Sequence, residues 1–270
     1  MPYRHAHWWI AALFAGTLLA FWPGYFSRIG GAPVALHIHG ATASLWMLLL
    51  AAQSWFIHNG GRTLHRKLGL ATFVVAPLFA LGSLGVIQSM AIGTASGDPF
   101  YALWGVPLSG YDGISAIGFV VLVALGVRHR RSVHLHAAYM LATMMMLVGP
   151  VTSRLINAFV PGFIVDGPQN FGLFARGIHA GNLLTLILIG TLYLTHRRAG
   201  QPWAIAAAFV AGTSIMFEAW PRMPSANAAF TAFAALPPTL VGLFGLAVCA
   251  TALWLGWSAG SISRRTTAPA

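Results

Sequence analysis

The 270-residue chain carries 11 histidines against four acidic residues. Imidazole is costly in lipid unless it is paired, metallated or facing water, so histidines set among long apolar runs are candidates for function. A b-type haem in a helical bundle needs one axial histidine from each of two helices and an apolar slot between them. It also needs small residues where the ring edge approaches and cations for the propionates. Two sets of residues meet that demand. In the first, His37 or His39 is opposed to His179, with Arg176 one turn before His179 and with Gly40 and Gly181 permitting close approach. In the second, His65 is opposed to His136, with Arg66, Lys67 and Arg131 nearby and Gly69 one turn beyond His65. Residues two apart on a helix point about 200 degrees apart, so one member of each His-x-His pair, His37 with His39 and His134 with His136, is a bystander unless the chain is extended there.

Copper is the alternative metal. His136, Met140 and Met144 fall on one helical stripe, with Met145 and Met146 alongside, and thioether with imidazole suits copper(I). The same stripe equally suits gap-filling in a core. Zinc hydrolysis lacks both a His-Glu-x-x-His motif and an inner carboxylate to act as base. Arg154, the most expensive residue to leave in an apolar run, calls for Asn157, Asp112, Asp166 or Glu218 as partner. Gln53 reads as an interhelical hydrogen-bond partner. The chain has no glycine-rich nucleotide loop after a strand, no lysine in a span for a retinal Schiff base and no paired intramembrane acids for ion coupling. Electrons would come from a quinol, a small reductant or a partner protein.

The elements that must position these residues are membrane helices. With 57% hydrophobic and 7% charged residues and a mean hydropathy of +0.74, the chain could not clothe a water-soluble surface. Apolar runs of helix-spanning length lie near 7–26, 33–57, 68–92, 112–128, 134–160, 173–195, 202–220 and 236–258, about eight in all. The first run continues to Trp22 and Pro23 without a convincing small-residue cleavage site, so it is expected to stay as a helix. The connections 93–111, 160–172 and 221–235, rich in Gly, Pro, Phe and Trp, read as outer lids. Pro77 and Pro150 predict kinks inside spans three and five. Trp8, Trp9, Trp22, Trp203, Trp220, Trp254 and Trp257 read as interface anchors.

The net charge of +11 would suggest nucleic acid in a soluble protein, but here the cations sit in clusters between apolar runs and read as topology signals. Arg4, Arg62, Arg66, Lys67, Arg128, Arg130, Arg131, Arg197, Arg198, Arg264 and Arg265 fall on one side. Arg28, Arg154, Arg176 and Arg222 fall on the other with Asp98, Asp112, Asp166 and Glu218. The positive-inside rule then places both termini in the cytoplasm, and a bacterial inner membrane is the expected home. One integral membrane domain over residues 1–270 is expected, for there is no long linker and no clear repeat. The single cysteine, Cys249, excludes an intrachain disulfide.

The stretch 35–155 resembles an uncharacterised family of multi-spanning bacterial membrane proteins. The resemblance rests on His37 or His39, Trp46, Gln53, Arg62, His65-Arg66 with Gly69, then His136, Met140 and Arg154-Leu155. Leu141, Ala142 and Thr143 stand where that family places a basic residue after the methionine. The histidine placement is also similar, more distantly, to ascorbate-reducible b-type cytochromes, which implies two haems stacked across the membrane. The reading is therefore an all-α bundle of about eight spans that binds haem b and passes electrons between a quinol or partner protein and an outer-side acceptor, a membrane-bound oxidoreductase if an enzyme. Two rivals stay open: a cofactor-free accessory subunit of a larger membrane complex, and a small-solute carrier using Arg154 and Glu218.

Overall fold

The computed structural model describes residues 2–262, so Arg264 and Arg265 lie outside the described residues. The chain winds into helices throughout, and no strand occurs among the described residues. In order these are α1 (Ala6–Phe21), α2 (Val34–His58), α3 (Arg62–Gly69), α4 (Thr72–Ala95), α5 (Pro99–Arg128), α6 (Val133–Ala142), α7 (Met145–Phe159), α8 (Phe174–Thr195), α9 (Gly200–Ala219), α10 (Ala226–Ala234) and α11 (Pro238–Ile262). Seven stretches are long and apolar enough to cross a bilayer, α6 and α7 together forming one of them. The eighth expected span, α1, has 16 residues, about 24 Å at 1.5 Å per residue and short of a ~30 Å hydrocarbon core.

The helices close a ring in the order α1, α2, α4, α5, α9, α8, α7 and back to α1, with α11 packed outside against α4 and α5. Large apolar side chains face outward along α8 and α11, where Leu183, Ile187, Leu243 and Phe244 are exposed as lipid contact requires. The ring is filled by rings of its own. Trp46, Phe79 and Phe119 stack edge to face at centroid distances of 5.1 Å and 4.6 Å, and the Trp46 indole N–H donates to Thr143 Oγ1 at 3.0 Å.

Two boundaries differ from the sequence expectation. The segment 93–111, expected as a lid, is largely the first half of α5, because Asp98 caps it by accepting from the backbone N–H groups of Phe100 and Tyr101 at 2.9 Å each and Pro99 occupies the first turn. Asp112 is consequently carried into the middle of a 30-residue helix instead of standing at an outer end. The break in span five falls at Thr143–Met144, between α6 and α7 and upstream of Pro150. Proline has no N–H for the Met146 carbonyl four residues back, and the Ser115 hydroxyl approaches that oxygen at 3.4 Å.

The basic clusters gather at one end of the bundle. There Trp203, expected as an interface anchor, is only 1% exposed and donates to Tyr3 Oη at 3.1 Å. The Tyr3 ring lies 4.4 Å from that of His196, and Arg130 reaches the Trp257 carbonyl at 2.9 Å. At the other end the 160–172 connection does lie on the bundle, its Phe171 carbonyl accepting from the Trp104 indole at 2.9 Å. In the last connection α10 is held by Gln88, which donates to the carbonyls of Phe233 and Leu236.

Candidate functional site

At the basic end a cavity of about 520 Å³ opens between α2, α3, α4 and α6, within the usual volume range of small-molecule sites. His65 and His136 both line it, with ring centroids 6.5 Å apart and planes at 87°. The helix break after Gly69 lets α3 lie apart from α4 and turn His65 toward α6. Each imidazole is fixed by its backbone surroundings. The His136 Nδ1 lies 2.8 Å from the Gly126 carbonyl oxygen and the His65 Nδ1 lies 3.3 Å from that of Gln53. A carbonyl can only accept, so in both rings Nδ1 carries the proton and Nε2 is left with a bare lone pair. This is the tautomer a metal-bound imidazole needs, already oriented by its outer partner. Burial holds the His65 imidazole below its usual value, the bond to Gln53 offsetting this only in part, so the ring is neutral at neutral pH.

The remaining walls suit a flat, largely apolar ligand with acidic edges. Leu50, Leu70, Phe73 and Leu141 line the apolar part, and Arg66 and Arg131 stand at the rim. The Gln53 amide, expected to bridge two helices, has neither its oxygen nor its nitrogen hydrogen-bonded although both are buried. Orphaned buried amides are rare enough to point to a missing partner. Two imidazoles bonded in line to one metal put their centroids roughly 6 Å apart at metal–nitrogen distances of about 2.0–2.1 Å, close to the observed spacing. Among the described residues no three His, Cys, Asp or Glu side chains converge, so a site needing three or four such ligands is not furnished. Met140 lines the same cavity, but Met144, in the helix break that interrupts the expected stripe, and Met145 and Met146 beyond it are buried in the apolar core and do not line the cavity. His58 also lines the cavity, with both ring nitrogens turned to carbonyl oxygens of Ser54 and Pro2. His134 is exposed and lines a separate surface pocket with His196, so His136 is the member of its pair that lines this cavity.

The outer set is not brought together. The His179 Nε2 lies 3.0 Å from Glu218 Oε1, and Arg222 holds the other carboxylate oxygen at 2.8 Å. Arg176 is exposed. The His37 Nδ1 is 2.6 Å from the Tyr25 hydroxyl. His39 turns inward, stacked on Phe79 at 5.1 Å with Ser83 Oγ 3.5 Å from its Nδ1. No described contact joins His179 to either. Gly181, expected to admit a ring edge, faces the α7 backbone, where an added Cβ would stand 2.7 Å from the Ser153 nitrogen and 2.9 Å from the Gly149 oxygen. Its missing side chain serves helix packing. Compared with known family models, curated proteins and solved structures, the chain matches none.

Proposed function

We propose that the protein is a haem b-binding electron-transfer protein of the bacterial inner membrane, with the cofactor held between His65 and His136 at the cytoplasmic, basic end. The carrying observation is the pair of opposed imidazoles whose Nδ1 atoms are committed to backbone carbonyls across one cavity of about 520 Å³. Bound there, haem would supply one-electron chemistry at its iron. The chain's own residues do the rest. Gly126 and Gln53 keep both Nε2 lone pairs available, Arg66 and Arg131 offer charge to propionates, and the apolar walls exclude water, which tunes the potential. The positive-inside rule assigns this end to the cytoplasm, so a quinol or protein partner would exchange electrons across the membrane with an outer-side acceptor.

The outer histidines are not brought together among the described residues, so the reading is one haem per chain rather than the two implied by the cytochrome resemblance. Copper bound by His65, His136 and Met140 is the second reading, favoured only by Met140 lining the same cavity. The test is a dithionite-reduced minus oxidised spectrum of purified protein expressed with ample haem, a pyridine haemochrome count and elemental analysis. One haem per chain with a sharp α band supports the proposal. A flat spectrum from folded protein refutes it, and stoichiometric copper replaces it with the second reading.

A further inference from the structure

A second cavity, of about 390 Å³, opens at the basic end where α8 stops at Thr195. His134, from the first turn of α6, and His196, Arg197 and Arg198, from the connection after α8, line it. Tyr3 forms part of its wall. With a φ of 58° this bulky residue occupies the left-handed region that L side chains rarely adopt. It is held there from two sides. The Tyr3 hydroxyl accepts from the Trp203 indole at 3.1 Å, and the Tyr3 ring lies 4.4 Å from that of His196. His196 is fixed in turn, its Nδ1 2.9 Å from Thr195 Oγ1. Pro2 and Tyr3 also line the cavity of His65 and His136, so the two spaces share a wall while their histidines differ.

No acid of the chain answers these cations. Of the four acidic residues, Glu218 pairs with His179 and Arg222, Asp166 accepts from Asn170 and Gln169, Asp98 caps α5 and Asp112 lies in the middle of that helix. Arg197 and Arg198 are exposed and form no ion pair among the described residues. The cavity therefore calls for an anion, and guanidinium forks match the oxygens of a phosphate. Helix α8 indicates where that phosphate comes from. Leu183, Ile187 and Leu194 fall on one face of it, each more than half exposed, and Leu194 itself lines the cavity. From Leu183 to Leu194 the helix rises about 16 Å, close to the ~15 Å hydrocarbon depth of one leaflet. An apolar track one acyl chain long thus ends in a cavity of cations. The positive-inside rule gives that end to the cytoplasmic leaflet, where anionic lipids meet basic pockets between helices. A soluble phosphate has no use for the track.

We propose that this cavity holds the phosphate of an anionic phospholipid of the cytoplasmic leaflet, with Arg197 and Arg198 meeting the headgroup oxygens and Leu183, Ile187 and Leu194 lying along an acyl chain. The test is native mass spectrometry of the full-length protein in detergent, titrated with phosphatidylglycerol, phosphatidylcholine or inorganic phosphate. Wild type should retain one phosphatidylglycerol, and should hold zwitterionic phosphatidylcholine about tenfold more weakly or worse. Neutralising both cations in the Arg197→Gln, Arg198→Gln variant should raise the phosphatidylglycerol Kd about tenfold or more. The Arg62→Gln, Lys67→Gln variant removes the same charge from the same end but outside the cavity, and its Kd should stay within about threefold of wild type. All four side chains are exposed, so both variants should melt at the wild-type temperature. Equal weakening in the two variants, equal retention of the two lipids, or an unchanged Kd in the Arg197→Gln, Arg198→Gln variant would each overturn the proposal. A collapse in the melting temperature of that variant would also overturn it, by giving the two arginines to packing. Displacement of phosphatidylglycerol by millimolar inorganic phosphate would overturn the lipid assignment and make this a site for soluble phosphate.

Discussion

If His65 and His136 are opposed ligands of one cofactor, removing either must cost more than loosening it. Losing only the outer partner of a ligating histidine typically weakens metal binding by roughly 10- to 100-fold. Losing the ligand itself must exceed that, so His65→Ala and His136→Ala should each lower haem per chain from about one to under about one-tenth after purification. His179→Ala, whose ring meets Glu218 at 3.0 Å and not the cavity, should leave haem content unchanged. The pH dependence follows from the same geometry. Burial holds the unligated His65 below its usual value, so binding should be flat above about pH 6.5 and fall about tenfold per pH unit and per ligand once protons compete for Nε2. The same sign governs stability without haem: a histidine depressed by folding contributes its full share above its unfolded value, and that share is lost as pH falls through the folded value. The assay is a haemochrome count on each variant across pH 5 to 8. Full haem in both alanine variants, or loss in His179→Ala alone, would refute the assignment.

Other expectations concern packing. Gly181→Ala would drive a methyl into the α7 backbone, against the Ser153 nitrogen and Gly149 oxygen. Backbone cannot swing aside, so unfolding in detergent should occur at lower temperature, at a cost of about 1–3 kcal/mol. Trp46→Phe removes the donor to Thr143 at 3.0 Å beside the α6–α7 break. The Thr143 hydroxyl still donates to the Met140 carbonyl, so the loss should be about 0.5–1.5 kcal/mol by denaturant unfolding. Glu218→Gln breaks two ion pairs, but Glu218 is 44% exposed, Arg222 71% and His179 41%. The stability change should stay below about 1 kcal/mol and haem content should not move.

Composition and the length of the apolar runs were enough to determine an all-helical membrane bundle, because lipid leaves a chain no other way to satisfy its backbone in single-pass segments. Charge clusters between the runs marked the basic end, and the spacing of His65-Arg66 with Gly69 and of His136 marked the inner pair, since an imidazole, a cation and a small neighbour lie within one helical turn. The start of α5 was also legible: Asp98-Pro99 is a helix cap followed by a first-turn proline, a local signal outweighed by the Gly and Pro around it. What tertiary structure alone decided is which helices face one another. Position along the spans puts His179 at the same level as His37 and His39, but ring closure puts α8 between α7 and α9 and gives His179 to Glu218. The tautomers of His65 and His136 were likewise invisible, because the carbonyls that set them, Gln53 and Gly126, lie 12 and 10 residues away in sequence. Arg154 announced a cost in the sequence. Only the packing revealed that no carboxylate among the described residues comes within ion-pair distance of it: Glu218 goes to His179 and Arg222, Asp166 to Asn170 and Gln169, and Asp98 caps α5.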